Sequence, residues 1–266
     1  MPRTLKLTLA YDGADYHGWQ VQPGLPTIQA TVAEAIGRVT GENVALAGSG
    51  RTDAGVHALG QVASCELCST IPAANLVIAL NDLLPASIRV TNAEDALDGF
   101  HARYSARSKL YHYRILRSAI CPPHVARYVY HHPYPLDERA MQEAAELAVG
   151  EHDFTAFAAA DPEKRAVAAR PEETSKTRSL SSEEQRAGVR RIMNSNFRRD
   201  GDGLVYAVEG NGFLHHMVRN LVGTFLLAGK GTLQPEDVTR ILESRDRAAA
   251  GPTAPASGLW LMAVKY

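Results

Sequence analysis

Apolar and polar residues alternate over 4–11, the period of two expected of a strand with one buried face. The pattern then changes: Thr27 is placed to cap a helix that runs to about residue 39 and is stopped by Gly41. Strands are predicted over 44–49 and 61–66, a helix over 75–84, a strand over 88–92 and a crossing segment over 100–105. The strand predicted over 109–116 puts Leu110, His112, Arg114 and Leu116 on one face and Tyr111, Tyr113 and Ile115 on the other, so Tyr111 and Tyr113 point the same way. A helix over 137–149, strands over 190–197 and 204–208, helices over 215–227 and 235–243, and a last strand over 259–264 complete the pattern. No short-period repeat interrupts it. The order suggests an α+β fold of two similar halves, 1–104 and 105–266, with mainly antiparallel sheets covered by helices and a cleft between the halves. Periodicity fails between 158 and 188, where six acidic and six basic residues mix with Ala, Ser and Pro; a long surface loop is expected there. Residues 251–257, with Pro252 and Pro255, read as a turn into the final strand.

Between the second and third predicted strands lies Ala47-Gly48-Ser49-Gly50-Arg51-Thr52-Asp53-Ala54-Gly55-Val56-His57-Ala58-Leu59-Gly60. Its glycines allow backbone conformations closed to other residues and let another molecule approach the main chain, so Arg51 and Asp53 can face one pocket. The bland alternative is a turn whose Asp and Thr only bond their own backbone.

A chain of 266 residues with 45% hydrophobic residues suits a soluble globular protein with a sizeable core. The N-terminus enters a strand pattern directly, and no apolar run approaches membrane-spanning length, so a cytoplasmic protein with no membrane partner is expected. Three cysteines do not make a disulfide framework.

A net charge of −1 argues against a nucleic-acid partner only if charge is evenly spread, and it is not. Residues 99–136 contain no acidic residue, but carry Arg103, Arg107, Lys109, Arg114, Arg117 and Arg127, five histidines and six tyrosines, among them Tyr104, Tyr128, Tyr130 and Tyr134. Cations contact phosphates and aromatic faces stack on bases; the competing account is a strand pair with a solvated basic face and a tyrosine-rich core.

Four separated segments carry a resemblance. They are Tyr11-Asp12-Gly13 with Tyr16-His17-Gly18-Trp19-Gln20; Gly50-Arg51-Thr52-Asp53-Ala54-Gly55-Val56-His57; Phe100-His101-Ala102-Arg103 running into Tyr111-His112-Tyr113-Arg114; and Phe213-Leu214-His215-His216-Met217-Val218-Arg219-Asn220. In order and spacing they resemble the TruA family of bacterial tRNA pseudouridine synthases over nearly the whole chain. The resemblance implies the pseudouridine synthase fold and isomerisation of uridines at positions 38–40 of the tRNA anticodon stem-loop, without cofactor or metal, by a homodimer. It puts Asp53 on the catalytic aspartate and Tyr111 on the tyrosine that stacks against the target uracil, a phenol that is also a candidate to handle the proton leaving C5. Arg219 falls on the arginine that pairs with the aspartate, and Arg51 on one that helps displace the target nucleotide from its stack. His215, His216 and Arg103 join the substrate-binding set by stacking or phosphate contact.

Three rival readings stay open. Cys65, Cys68, Cys121 and His124 have the ligand types of a Cys3His zinc site, although residues three apart on a strand face opposite sides; His215 and His216, adjacent on a helix, would point about 100° apart. A non-catalytic RNA-binding protein, or a pseudouridine synthase for other RNA positions, also fits the basic, tyrosine-rich segment.

Overall fold

The computed structural model of the chain describes residues 2–159 and 188–266, in an α+β arrangement of helices and mainly antiparallel strands. In chain order the strands are β1 (Arg3–Tyr11), β2 (Ala47–Gly48), β3 (His57–Leu67), β4 (Ile88–Asp95), β5 (Ser108–Leu116), β6 (Tyr130–His131), β7 (Gly150–Asp153), β8 (Val189–Asp200), β9 (Gly203–Gly210) and β10 (Leu259–Lys265). The helices are α1 (Ile28–Thr40), α2 (Ala73–Leu83), α3 (Pro123–Ala126), α4 (Glu138–Glu146), α5 (Met217–Gly229) and α6 (Asp237–Ser244). They fall into two compact units: Met1–Pro133 with Arg199–Val205 and Pro255–Tyr266, and Tyr134–Arg198 with Tyr206–Ala254.

In the first unit the strand order is β4-β1-β3-β10-β5. Alternation in β1 does what the pattern requires, with Leu5, Leu7 and Leu9 fully buried. Its neighbour β3 lies between two strands and exposes only Leu59 and Glu66 along its length, the near-continuous burial of a central strand. Thr27 caps α1 through its side chain, and Gly41 ends it in the left-handed region at φ 75°. The helix turns Ile28, Val32, Ala35 and Ile36 into the core. Most important for the chemistry is β10. It runs parallel to β3, with Trp260 opposite His57, and antiparallel to β5, with Leu261 opposite Tyr111 and Leu259 opposite Tyr113. The C-terminal strand thereby fixes the spacing between the strand that follows the glycine-rich loop and the strand that carries Tyr111.

In the second unit β7 and β8 pair antiparallel, and α5 packs against α4. Eleven of the thirteen residues of α5 are buried, the mark of a helix apolar all round. A Cβ on Gly229 would lie 2.7 Å from Met141 Cγ, and the Asp137 N–H donates to Gly229 O at 2.7 Å. Ser195 donates to Ala145 O and meets the Tyr206 hydroxyl, beneath a cluster of Phe197, Tyr206 and Phe225.

Two expectations are corrected. The strand expected over 44–49 shrinks to Ala47–Gly48, which pair with Ser64 and Ala63 of β3; one further bond, from the Ser49 N–H to Val62 O at 2.8 Å, follows before the chain turns into the loop. The helix expected from His215 begins at Met217, because His216 steps into the left-handed region at φ 59°. Most of the loop expected over 158–188 lies outside the described residues.

Candidate active site

Asp53 is half-buried in the turn between β2 and β3, and the chain before α1 holds its backbone. The Trp19 N–H donates to Thr52 O at 3.0 Å, the Gly55 N–H to Tyr16 O at 3.3 Å and the Val56 N–H to Asp53 O at 3.1 Å. Gly18 makes this possible: at φ 84° it takes a conformation that side chains resist, and a Cβ there would lie 2.5 Å from Thr52 O.

Beneath the loop sits Gln61, fully buried. Its amide nitrogen donates to Gly50 O at 3.0 Å and to the Tyr11 hydroxyl at 3.4 Å; its oxygen accepts from Ser49 Oγ at 2.7 Å and from the Val62 N–H at 3.1 Å. Because an amide N–H already points at the Tyr11 oxygen, the Tyr11 proton is directed to Thr52 Oγ1, 2.8 Å away. Burial pushes the Tyr11 phenol up to about 12, against the opposing pull of its bonds to Thr52 and Gln61. One buried amide thus orders Ser49, Gly50 and, through Tyr11, Thr52 beside Asp53.

Tyr111 is 7% exposed and lies on β5 with Tyr113 on the same face, as its spacing predicted. Its phenol is held well above the ordinary tyrosine value, first by burial and then by the charges of Tyr11 and Asp53. The carboxylate and the ring therefore share one local field. A phenol in that state stays neutral near physiological pH and is suited to stacking and to donating a hydrogen bond. Two residues earlier on this face, the Lys109 ammonium reaches Gly50, where a Cβ would lie 2.8 Å from Nζ.

His57, four residues after Asp53 and fully buried, anchors the far end of the loop. Its Nδ1 accepts from the Gly13 N–H at 3.2 Å, its Nε2 bonds Arg127 O at 2.9 Å, and its ring stacks on Trp260 at 4.4 Å. Arg114 covers Trp260 at 4.4 Å. Burial lowers the His57 pKa, while the Asp12 carboxylate, 3.1 Å from Nδ1, acts in the opposite direction. Asp12 also takes Arg127 Nε at 3.1 Å and the Tyr128 hydroxyl at 3.1 Å, and Asp15 pairs with the same arginine. Arg127, counted among the cations of the basic segment, is thus neutralised by carboxylates from outside that segment.

Of the other residues singled out in the sequence, Arg51 is exposed and donates from Nε to Gln20 Oε1 at 3.1 Å. Arg103 is exposed beside His101, whose ring lies 4.4 Å from that of Tyr104, itself 80% exposed. No three of Cys65, Cys68, Cys121 and His124 bring ligand atoms within 4.8 Å of one another; Cys65 is buried in β3 and Cys68 is exposed beyond its end. In the second unit, His215 and His216 lie before α5 with ring centroids 3.9 Å apart, so the helical 100° separation does not apply to them. Arg219 is the third residue of α5 and donates from Nε to Ala254 O at 2.7 Å. The sequence does not mark Gln61, which is there one polar residue in an apolar strand.

A family model described as tRNA pseudouridine synthase matches residues 8–105 and 144–266. The chain belongs to the tRNA pseudouridine synthase family. It is 46% identical over 264 residues to a protein of Solibacter usitatus named tRNA pseudouridine synthase A, covering 99% of this chain and all of the relative. A protein of the same name from Caldicellulosiruptor bescii is 42% identical over 99% of this chain and all of the relative, and one from Halalkalibacterium halodurans is 41% identical over 97% of this chain and 90% of the relative. Membership makes the chain an isomerase with the pseudouridine synthase fold. Among the described residues, no helix is long and apolar enough to cross a membrane.

Proposed function

We propose that the chain converts uridine to pseudouridine at positions 38–40 of the tRNA anticodon stem-loop, with Asp53 as its catalytic carboxylate. The observation that carries this reading is the glycine-rich loop that holds Asp53, ordered from below by Gln61, with the buried phenol of Tyr111 on β5 near enough to feel the carboxylate. The reaction breaks the bond between the ribose and uracil N1, turns the detached base and rejoins it through C5, which gives up its proton while N1 gains one; a carboxylate can serve such a step as nucleophile or as base. Tyr111 stacks on the uracil and, as a neutral phenol, holds it by hydrogen bonding during the turn. Arg219 is assigned the guanidinium that pairs with Asp53, and Arg51 the role of displacing the target nucleotide, since atoms within a stacked helix are out of reach. Arg103, His215 and His216 contact the RNA. The halves 1–104 and 105–266 supply the catalytic loop and the remaining RNA-binding residues, respectively, and the working enzyme is a cytoplasmic homodimer that uses neither metal nor cofactor.

The test is to incubate the purified protein with unmodified tRNA and map pseudouridine along the product. Modification confined to 38–40 is expected; modification elsewhere would reassign the substrate, and its absence would leave an RNA-binding protein.

A further inference from the structure

The segment Arg247–Ala254, which runs into the turn expected over 251–257, makes more bonds to α5 than a connection needs. Ala254 O accepts from Arg219 Nε at 2.7 Å, and the Ala254 N–H donates back to Arg219 O at 3.1 Å. Asn220, fully buried, accepts at Oδ1 from Arg247 Nη2 at 3.0 Å and from Thr253 Oγ1 at 2.7 Å, while its Nδ2 donates to Phe157 O at 2.7 Å. Arg247 also donates from Nη1 to Gly251 O at 3.0 Å and to Ala250 O at 3.3 Å, and from Nη2 to Thr253 Oγ1 at 3.3 Å. The Gly251 N–H donates to Thr224 Oγ1 at 2.9 Å, and Pro252 O lies where a Cβ on Gly223 would be, 1.7 Å away.

We propose that Arg247, Asn220 and Thr253 are positioning residues for Arg219, clamping the turn so that Ala254 O sets the plane of its guanidinium. The physical reason is the length of the arginine side chain. Four rotatable bonds leave its charged end undirected unless Nε is anchored; with that bond made, both terminal nitrogens face one fixed direction, and small misplacements of such groups cost much of the rate they support. Each bond that Arg247 makes is to a neutral oxygen, so it serves geometry and not charge pairing. This rests on the reading of Arg219 as part of the reaction.

Three readouts test it: the single-turnover rate on unmodified tRNA, the tRNA Kd, and the Arg219 Nε–H resonance in arginine-labelled protein, assigned by its loss in Arg219→Lys. Thr253→Val is expected to slow turnover about tenfold with Kd unchanged, and to shift or broaden the resonance; Thr253→Ser restores both. Arg247→Lys repeats the test if Thr253→Val does not fold. An unchanged rate, or a slower one with the resonance unmoved, would overturn the proposal. Full turnover by Arg219→Lys would instead refute the role of Arg219, while the resonance still reports on the clamp.

Discussion

The loop that carries Asp53 and the turn that grips Arg219 both place one charged side chain, by opposite means. Around Asp53 the holding groups act on the main chain: Gln61 takes Gly50 O, Trp19 takes Thr52 O, and Val56 takes Asp53 O. Around Arg219 a main-chain carbonyl acts on the side chain itself, at Nε. The difference follows from side-chain length. Once the Cα of an aspartate is placed, two torsions remain, whereas an arginine carries about 2 kcal/mol of rotamer entropy that only a bond near its end can offset.

Substitutions sharpen the comparison. The largest effects are expected where another stretch of backbone leaves no room for a side chain. Gly223→Ala and Gly18→Ala should each destabilise by about 3 kcal/mol or more, because an added Cβ meets Pro252 O in one case and Thr52 O in the other. Denaturant unfolding measures this, and a loss below 1 kcal/mol for either, on the order of an ordinary surface change, would mean that the close approach is soft. Next comes Gln61→Leu. It leaves the buried Ser49 Oγ and the part-buried Gly50 O without their partner and should cost about 2 kcal/mol, with a fall in turnover beyond what the lost stability explains. Turnover equal to the parent would show that the loop orders itself. Tyr11→Phe removes only the bond to Thr52 and the contact with Gln61, and should cost about 1 kcal/mol, visible as a lower unfolding midpoint at unchanged slope.

The smallest effect is one of pH. Because folding lowers the pKa of His57 below its ordinary 6.5, the unfolded chain takes up the proton first. Its contribution to stability is therefore constant above about pH 6.5 and declines as the pH falls through that value toward the folded pKa. His57→Gln should flatten this part of the stability profile; identical slopes in parent and variant between pH 7 and 5 would contradict it.

Much of this was legible in the sequence where the signal is local. Thr27 and Gly41 bracket α1 as their types require, and the period-two spacing of Tyr111 and Tyr113 puts both on one buried face. The signal failed where conformation or partners are set from afar. Nothing in the pair His215-His216 announces a left-handed step, so the sequence pattern starts α5 two residues early. Gln61 finds Tyr11 across fifty residues of chain, and Asn220 finds Thr253 across thirty-three. A polar residue in an apolar run looks alike whether it is an ordinary strand position or a hub. The segments β6 and β7 and the helix α3 span too few residues for any period to show.

Asp53→Asn tests most directly whether the carboxylate at position 53 does the chemistry. With unmodified tRNA, the variant should form no detectable pseudouridine at 38–40, a loss of at least about a thousandfold, while binding tRNA within about twofold of the parent. Turnover at the parent rate by Asp53→Asn would contradict the assignment.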